Sequence, residues 1–353
     1  MNFGVICEFN PFHKGHKYLF DRIKGENDCV ICAMSGNFVQ RGEAAVYGKF
    51  ERSEEAIKNG ADLVIEIPTW LSTLSAQGFA YAGVKTLEAT GICEMLAFGA
   101  ETNDVEALKN VAVNIKEKSN EIKDELKKGI SYPAARQNII KSELLKTPNN
   151  ILGIEYLSCT KLKAVAVKRI GRGHDSDDIL YSASEIRKHL PLDKTANLKN
   201  CEKAVLYKLR TMTADDFAEI DDVSEGLENR IIEAVKEAAN LEELYGLIKT
   251  KRYTMSRIRR IVLRAFLGID NSFPKEPEYI RVLGFSNKGK ALVKEMAEKA
   301  ELPVICKYSD VLNTNDNIAK LFEAESTFTD IHSLCFSTPK ECGIDKSTKM
   351  III

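Results

Sequence analysis

Short apolar runs separated by helical patterns are the feature of this 353-residue chain that most constrains its fold. In the first half, each run has the length of a single strand, and glycine or proline ends several of them. Short strands that alternate with helices are typical of a parallel sheet in an α/β domain. We therefore predict such a sheet, with strands at residues 3–7, 29–34, 62–67, 94–98 and 164–170.

The pattern changes near Pro191, after which helical periodicity dominates. The chain is long enough for two domains. We therefore predict an α/β domain over residues 1–190 and a mainly helical domain over residues 191–353. Helices of the second domain are expected at residues 204–210, 229–239, 241–249, 256–267 and 288–298.

Charge and apolar patterning exclude several classes of protein. The 50 Lys and Arg balance the 51 Asp and Glu, which excludes a protein that coats a polyanion but leaves room for a local basic patch. No run of 18 apolar residues occurs, and no cationic stretch precedes the first apolar run. We therefore expect neither a membrane span nor a signal peptide. Nine cysteines, an odd number, favour a reducing cytoplasm.

Two segments have the composition of a metal site, but neither has the context of one. Cys29 and Cys32 have redox or zinc spacing, yet they lie in a predicted strand, where side chains three positions apart point to opposite faces. We interpret them as core residues. The acidic run at 175–178 is more typical of a solvated loop than of a cation site. No metal ligands are predicted in this chain.

The segment His13-Lys14-Gly15-His16 follows the first strand and opens a helix. Glycine allows close approach of the backbone to a phosphate, and a helix N-terminus offers N–H groups and partial positive charge to it. Two imidazoles can donate hydrogen bonds to oxygens that gain charge when the phosphorus is attacked. We predict catalytic roles for His13, His16 and Lys14; the alternative is a pair of surface histidines.

Two further segments lie where binding groups are expected. Residues 182–187 place Ser184 and Arg187 at a helix start, where they either bind phosphate or serve as an ordinary cap with a solvated arginine. Residues 34–42 form a loop rich in hydrogen-bonding side chains after the second strand, which is either a binding loop or a plain surface loop. In this loop we predict an anion pocket at Ser35, Asn37 and Arg41.

Residues 249–264 hold seven Lys and Arg and no acid. A nucleic-acid backbone would be attracted to such a segment, but a helix with a solvated cationic face has the same composition. The cationic residues that we consider for nucleic-acid binding are Lys249, Lys251, Arg252, Arg257, Arg259 and Arg260.

Six motifs in chain order resemble the bacterial tRNA(Met) cytidine acetate ligase family, and together they span nearly the whole chain. They are Glu8-Phe9-Asn10-Pro11-Phe12-His13-x-Gly15-His16, residues 34–42 (MSGNFVQRG), residues 60–64 (GADLV), Phe98-Gly99-x-Glu101, residues 148–153 (PNNILG) and residues 251–254 (KRYT). The resemblance implies a Rossmann-like nucleotidyltransferase sheet of the HUP type, followed by a helical tRNA-binding domain.

The resemblance also implies a reaction and its site residues. Acetate attacks ATP to give acetyl-adenylate, and the N4 amine of the wobble cytidine of elongator tRNA(Met) then takes the acetyl group. Mg²⁺ is expected to arrive with ATP, and neither DNA nor a membrane is an expected partner. Further ATP contacts are implied at Gly99, Arg169 and either Asn149 or Asn150, beside Ser184 and Arg187. The ATP-binding segment comprises Ile6, Cys7, Glu8, Phe9, Asn10, Pro11, Phe12, His13, Lys14, Gly15, His16, Lys17, Tyr18 and Leu19; the anion pocket is then that of acetate.

Two other functions are compatible with parts of the sequence. A small-molecule adenylyltransferase, of the pantetheine-phosphate or nicotinate-mononucleotide type, would carry the same histidine motif but would need no basic helical region. A non-catalytic RNA-binding protein on a degenerate nucleotidyltransferase domain is disfavoured by the intact histidines and Arg187.

Overall fold

A mostly parallel sheet lies at the centre of the computed structural model, which describes residues 1–169 and 183–353. The order of its strands is β10-β8-β5-β2-β1-β6-β7, with β9 beside β8, and β3 and β4 form a separate ribbon. The strands are β1 Asn2–Cys7, β2 Cys29–Ser35, β3 Phe38–Val39, β4 Glu43–Ala44, β5 Leu63–Ile67, β6 Met95–Ala100, β7 Lys163–Lys168, β8 Ile280–Phe285, β9 Val304–Ile305 and β10 Ile351–Ile352.

Helices connect the parallel strands and make up most of the second half of the described chain. They are α1 Lys14–Ile23, α2 Lys49–Lys58, α3 Thr69–Ser72, α4 Ala76–Ala89, α5 Val105–Glu117, α6 Ser119–Leu126, α7 Tyr132–Ile140, α8 Pro148–Cys159, α9 Ala183–His189, α10 Glu202–Arg210, α11 Ala214–Ala218, α12 Leu227–Glu237, α13 Leu241–Ile248, α14 Met255–Leu267, α15 Gly289–Lys299, α16 Tyr308–Val311, α17 Asp316–Ser333 and α18 Ile344–Ser347. None of the helices in the described ranges combines the length and apolar character needed to cross a bilayer.

Alternate side chains of β2 enter the two halves of the core, as the two-residue period of a strand requires. Cys29 and Ile31 pack in the cluster that includes Phe79 of α4, whereas Cys32 packs in the cluster that includes Phe20 of α1. The interpretation of Cys29 and Cys32 as core residues on opposite faces is confirmed. All nine cysteines are free thiols.

The order in which the chain adds strands to the sheet reverses at β1, and the site lies at this switch point. β1 pairs in parallel with β2 on one side and with β6 on the other, and β7 continues beside β6. The chain therefore builds one side of the sheet through β2 and β5 before it crosses β1 to reach β6. Ligands of open α/β sheets bind at the carboxyl ends of the strands at such a switch point.

The predicted α/β fold with a mainly helical second half is confirmed, but three strands of that half were not predicted. β8 pairs antiparallel with β5, and β9 and β10 pair in parallel with β8. The sheet therefore extends past the predicted boundary at residue 190. The division into residues 1–190 and 191–353 stays a prediction.

Candidate nucleotide-binding site

Two histidines stack against each other in the loop that follows β1, here called the histidine loop (residues 8–16). His13 caps α1, and its Nδ1 accepts a hydrogen bond from the N–H of Gly15 at 3.0 Å. Nδ1 of His16 accepts from the N–H of His13 at 3.2 Å, and the two ring centroids are 3.8 Å apart. A neutral imidazole that accepts at Nδ1 carries its proton on Nε2. Both rings therefore offer an Nε2–H donor.

Both imidazoles are neutral near pH 7. Burial and, to a smaller extent, the positive charge of Arg169 lower the pKa of His13 to about 4. Burial also holds the pKa of His16 well below its usual value, with contributions from His13 and Arg169. Protonating either ring would place a second positive charge near that of Arg169. Both histidines therefore present hydrogen-bond donors in their neutral form.

Aromatic packing fixes the histidine loop on α1. The ring centroid of Phe9 lies 4.9 Å from that of His16, and Phe12 lies 5.4 Å from the same ring. Phe20 of α1 contacts both phenylalanines. Asn10 is buried, and its Oδ1 accepts from the N–H of Val46 at 2.8 Å. The loop is therefore a rigid element, as a preorganised site requires.

α9 brings a second predicted motif to this loop. Nη1 of Arg187 donates to the carbonyl of Asn10 at 2.7 Å, and its Nη2 donates to the hydroxyl of Ser184 at 3.2 Å. Residues 183–189 thus join a loop more than 170 positions earlier in the chain. Ser182 and the acidic run at 175–178 lie outside the described residues.

The ends of β6 and β7 contribute Gly99 and Arg169, and the start of α8 contributes Asn149. A Cβ placed on Gly99 would lie 3.5 Å from Cγ of Arg169, an ordinary contact. The N–H of Arg169 donates to the carbonyl of Ala100 at 2.8 Å, and its Nη1 lies 3.4 Å from Oδ1 of Asn149. The structure therefore brings Gly99, Asn149 and Arg169 together beside the histidines.

The two adjacent asparagines have different surroundings. Asn150 is buried, and its Oδ1 accepts from the N–H groups of Glu101 at 3.0 Å and Thr102 at 3.2 Å. Asn149 is half-buried and faces Arg169. The geometry therefore favours Asn149 as the residue that faces a ligand, with Asn150 fixing the turn after β6.

The loop that we predicted to bind acetate has two buried members and one exposed member. Asn37 is buried: its Oδ1 accepts from the N–H of Lys49 at 2.8 Å, and its Nδ2 donates to Thr329 at 3.1 Å. Ser35 is also buried, whereas Arg41 is exposed. The contacts of Asn37 are those of a structural residue, and an acetate pocket at these three positions stays a prediction.

A cluster of charged side chains that the sequence analysis did not anticipate lies beyond this loop. Nζ of Lys49 is 2.8 Å from Oε1 of Glu66 and 2.6 Å from Oδ2 of Asp345. Glu325 of α17 accepts from the N–H of Thr69 at 2.7 Å and contacts its hydroxyl at 2.5 Å. All four charged residues are at most 2% exposed.

Arg281 of β8 completes this group, here called the buried charge cluster (Lys49, Glu66, Arg281, Glu325 and Asp345). Its Nη2 lies 3.8 Å from Oδ1 of Asp345. Burial and the neighbouring Glu66 raise the pKa of Glu325 to about 8, so this carboxyl keeps its proton at neutral pH. One sequence signal was available: Glu66 is a lone carboxylate inside a buried strand, which requires a partner.

The basic residues from 249 to 264, here called the basic segment, are mostly paired within the protein. Arg260 is buried and contacts Asp222 at 2.6 Å, and Arg257 donates twice to the carbonyl of Asp222. Arg259 pairs with Glu43 at 2.5 Å. Arg252 pairs with Glu225 at 2.9 Å and is partly buried like Arg259, whereas Lys249 and Lys251 are exposed.

No group of three or more His, Cys, Asp or Glu residues suited to a metal ion occurs within residues 1–169 and 183–353. The polar groups around the histidine loop are instead imidazole, guanidinium and amide donors, which suit the oxygens of a phosphate chain.

The mostly parallel sheet with a stacked histidine pair after its first strand is that of a nucleotidyltransferase, as a family match shows. The model of the HIGH Nucleotidyl Transferase family matches residues 1–346. A tRNA(Met) cytidine acetate ligase of Thermoanaerobacter sp. (strain X514) is 38% identical, with 97% of each chain covered, and one of Acetivibrio thermocellus is 33% identical, with 99% of each covered.

A solved structure agrees with these sequence matches. The crystal structure of Thermotoga maritima TmcAL bound with alpha-thio ATP superposes with a TM-score of 0.88 at 30% identity, covering 100% of this chain and 99% of that one. This chain belongs to the tRNA(Met) cytidine acetate ligase family.

Proposed function

We propose that this protein is an ATP-dependent ligase that forms N4-acetylcytidine at the wobble position of elongator tRNA(Met). The observation that carries the proposal is the neutral histidine pair at the switch point of the sheet, beside Arg169 and Arg187. The relatives that match over nearly their full length are named for this activity. ATP, acetate and tRNA are accordingly the substrates.

In the first step, a carboxylate oxygen of acetate attacks the α-phosphorus of ATP. The bond from this phosphorus to the bridging oxygen breaks, and pyrophosphate leaves with the electron pair. The Nε2–H groups of His13 and His16 donate to oxygens on which charge accumulates, and Arg169, Arg187 and Lys14 supply positive charge. Preorganised neutral donors are suited to this task because they need not be protonated first.

In the second step, the N4 amine of cytidine attacks the acetyl carbonyl. The carbon–oxygen bond to AMP breaks, AMP leaves with the electron pair, and the amine gives up one proton to solvent. The phosphate anhydride already activates the carboxylate, so a nucleophilic serine or cysteine is not required.

We propose that ATP lies over the N-terminus of α1, beside Gly99, Asn149 and Arg169. The residues of the histidine loop, from Glu8 to His16, then surround its phosphates, and the neighbouring positions 6–7 and 17–19 support them. Mg²⁺ would arrive bound to the phosphates, because this ion keeps most of its water and takes few protein ligands.

The tRNA surface is proposed to include the exposed Lys249 and Lys251 and the neighbouring Arg252, which pairs with Glu225. Phosphate contacts by such side chains make affinity fall steeply with salt. Arg257, Arg259 and Arg260 already hold intramolecular partners, and their part in tRNA binding is proposed to be support of this surface. A reducing cytoplasm, which fits the nine free thiols, is the proposed location.

One assay tests the proposed function: mass analysis of nucleosides from tRNA(Met) after incubation with ATP and acetate. We expect N4-acetylcytidine and an equal amount of AMP, both dependent on acetate. Omitting acetate, or replacing the wobble cytidine by uridine, provides the control. Absence of both products would overturn the proposal. Adenylation of phosphopantetheine or nicotinate mononucleotide instead would identify a small-molecule adenylyltransferase.

A further inference from the structure

Glu101, which follows β6, binds the start of α8 through three hydrogen bonds. Its Oε1 accepts from Nδ2 of Asn149 at 2.7 Å and from the N–H of the same residue at 3.4 Å. Its Oε2 accepts from the N–H of Asn150 at 2.8 Å. Thr147, the N-cap of α8, makes no cap bond with its own side chain, so Glu101 satisfies N–H groups of the first turn in its place.

The contact is reciprocal, which fixes both partners. Oδ1 of Asn150 accepts from the N–H groups of Glu101 and Thr102 at 3.0 and 3.2 Å. The turn after β6 and the start of α8 are therefore joined by side-chain bonds in both directions. A carboxylate is also favourable at this helix end, because the helix dipole places partial positive charge there.

Asn149 connects this fixed turn to Arg169, a cation of the site. Its Nδ2 is held by Glu101, which turns its Oδ1 toward Nη1 of Arg169 at 3.4 Å. Arg169 in turn is close enough to His13 and His16 to act on both rings electrostatically. The order of contacts is thus Glu101, Asn149, Arg169.

A neutral amide between the carboxylate and the guanidinium has a chemical advantage. A carboxylate placed directly on Arg169 would neutralise the charge that a phosphate chain needs. The Asn149 side chain accepts from Arg169 without cancelling its charge, while the negative charge of Glu101 is taken up by the helix end. The arrangement orients the guanidinium and leaves it cationic.

We infer that Glu101 is a positioning residue for the nucleotide: through Asn149 it holds Arg169 in the orientation that binds the phosphates of ATP. This inference rests on the proposed function for its ligand. It also separates the roles of the two asparagines, with Asn149 in the chain of contacts to Arg169 and Asn150 in the turn.

The test is a double-mutant cycle on ATP binding, measured by calorimetry without acetate or tRNA. In Glu101→Gln, the amide NH₂ must face one of the N–H donors, so we expect the Kd for ATP to rise about tenfold. In an Arg169→Ala background the same change is expected to raise Kd less than about twofold, because its target is gone. Steady-state assays are expected to show the loss mainly in KM for ATP.

Two further variants distinguish a positioning role from a simple loss of folding. Asn149→Ala keeps the bond from Glu101 to the N–H of Asn150 but removes the link to Arg169, and we expect it to weaken ATP binding to a similar extent. Asp104→Ala removes a helix cap of the same type on α5, where Oδ1 accepts from Ala107 at 2.9 Å, and is expected to leave Kd unchanged.

The outcomes separate the two proposals. An unchanged Kd in a folded Glu101→Gln protein, or an equal rise in the Arg169→Ala background, would overturn the positioning role. A wild-type protein that binds ATP and shows the expected cycle but makes no acetylated cytidine would overturn the proposed function and leave the positioning role standing.

Discussion

The carboxyl-end edge of the central sheet has two sections that differ in access and in charge. The open section follows β1, β6 and β7, where His13 and Asn149 are half-buried and Arg169 is exposed. The sealed section follows β2 and β5, where the buried charge cluster lies under α17 and α18. By strand topology alone, a ligand could bind at either section. The packing of the C-terminal helices leaves only one of them accessible in the described chain.

The largest expected effect is the loss of stability caused by a substitution in the sealed section. Lys49→Met removes the cation between Glu66 and Asp345 and leaves buried carboxylates uncompensated. We expect a loss of about 3–5 kcal/mol in the free energy of unfolding, measured in urea. Lys58→Met is the control, since its pair with Glu54 is exposed to solvent and should leave the free energy of unfolding almost unchanged. Equal losses in both variants would show that the cluster is not sealed.

Substitutions in the open section are expected to lower activity more than stability. His13→Ala or His16→Ala removes an Nε2–H donor, and we expect acetate-dependent AMP formation to fall at least about tenfold. The free energy of unfolding should fall by only about 1 kcal/mol for His13→Ala, since the change also removes the cap of α1. His189→Ala, an exposed histidine on α9, provides the control and should keep the wild-type rate. Wild-type rates in both active-site variants would refute the donor role.

Substituting one glycine in each section by alanine compares the two sections directly. A Cβ at Gly36 would lie 2.7 Å from Oε1 of Glu66 and 3.0 Å from Oε1 of Glu325, both held in the cluster. Gly36→Ala is expected to lower the free energy of unfolding by about 1–3 kcal/mol. Gly99→Ala meets only an ordinary contact with Arg169 at 3.5 Å and should change it by under about 0.5 kcal/mol. The reverse order would contradict the assignment of the sections.

The smallest expected net effect comes from a pair of opposite pH dependences, which partly cancel between pH 4.5 and 6.5. The pKa of His13 falls from 6.5 to about 4 on folding, so the unfolded chain binds more protons in that window and stability rises with pH. The pKa of Glu325 rises from 4.5 to about 8, so the folded protein binds more protons and stability falls as pH rises. Each slope is at most about 1.4 kcal/mol per pH unit.

Unfolding in urea at pH 4.5, 6.5 and 8 separates these two contributions. Glu325→Gln should remove much of the decrease between pH 6.5 and 8, while His13→Ala should reduce the increase between pH 4.5 and 6.5. The increase should not vanish in His13→Ala, because burial also lowers the pKa of His16 and His332. Slopes unaltered by either change would mean that these groups keep ordinary pKa values when folded.

Much of the α/β half could be predicted because its strands are short, apolar and bounded by glycine or proline. The predicted strand at residues 29–34 matches β2, Cys29–Ser35. β8, Ile280–Phe285, has an equally buried apolar pattern, yet it was not predicted. The helical patterns around it indicated a helical domain, and pairing with β5, more than 200 residues earlier, leaves no local signal.

The two sections differ in how much of each could be predicted from the sequence. The histidine loop is a local motif, so its residues could be named and its place after β1 predicted. The buried charge cluster joins five residues from distant elements, and no spacing rule links Lys49 to Asp345. Pairing within the protein also could not be read from composition: Arg260 contributes charge to the basic segment, but the structure buries it against Asp222.

The buried charge cluster has a consequence for synthesis of the chain. Lys49 and Asp345 are 296 positions apart, so at about 5–20 residues per second the ribosome delivers the second partner roughly 15–60 s after the first. During that interval β2 and β5 can pair and Glu66 can bind Lys49, while Arg281, Glu325 and finally Asp345 are added in turn. The nascent sheet therefore lacks the partners of its sealed section until α17 and α18 have been synthesised.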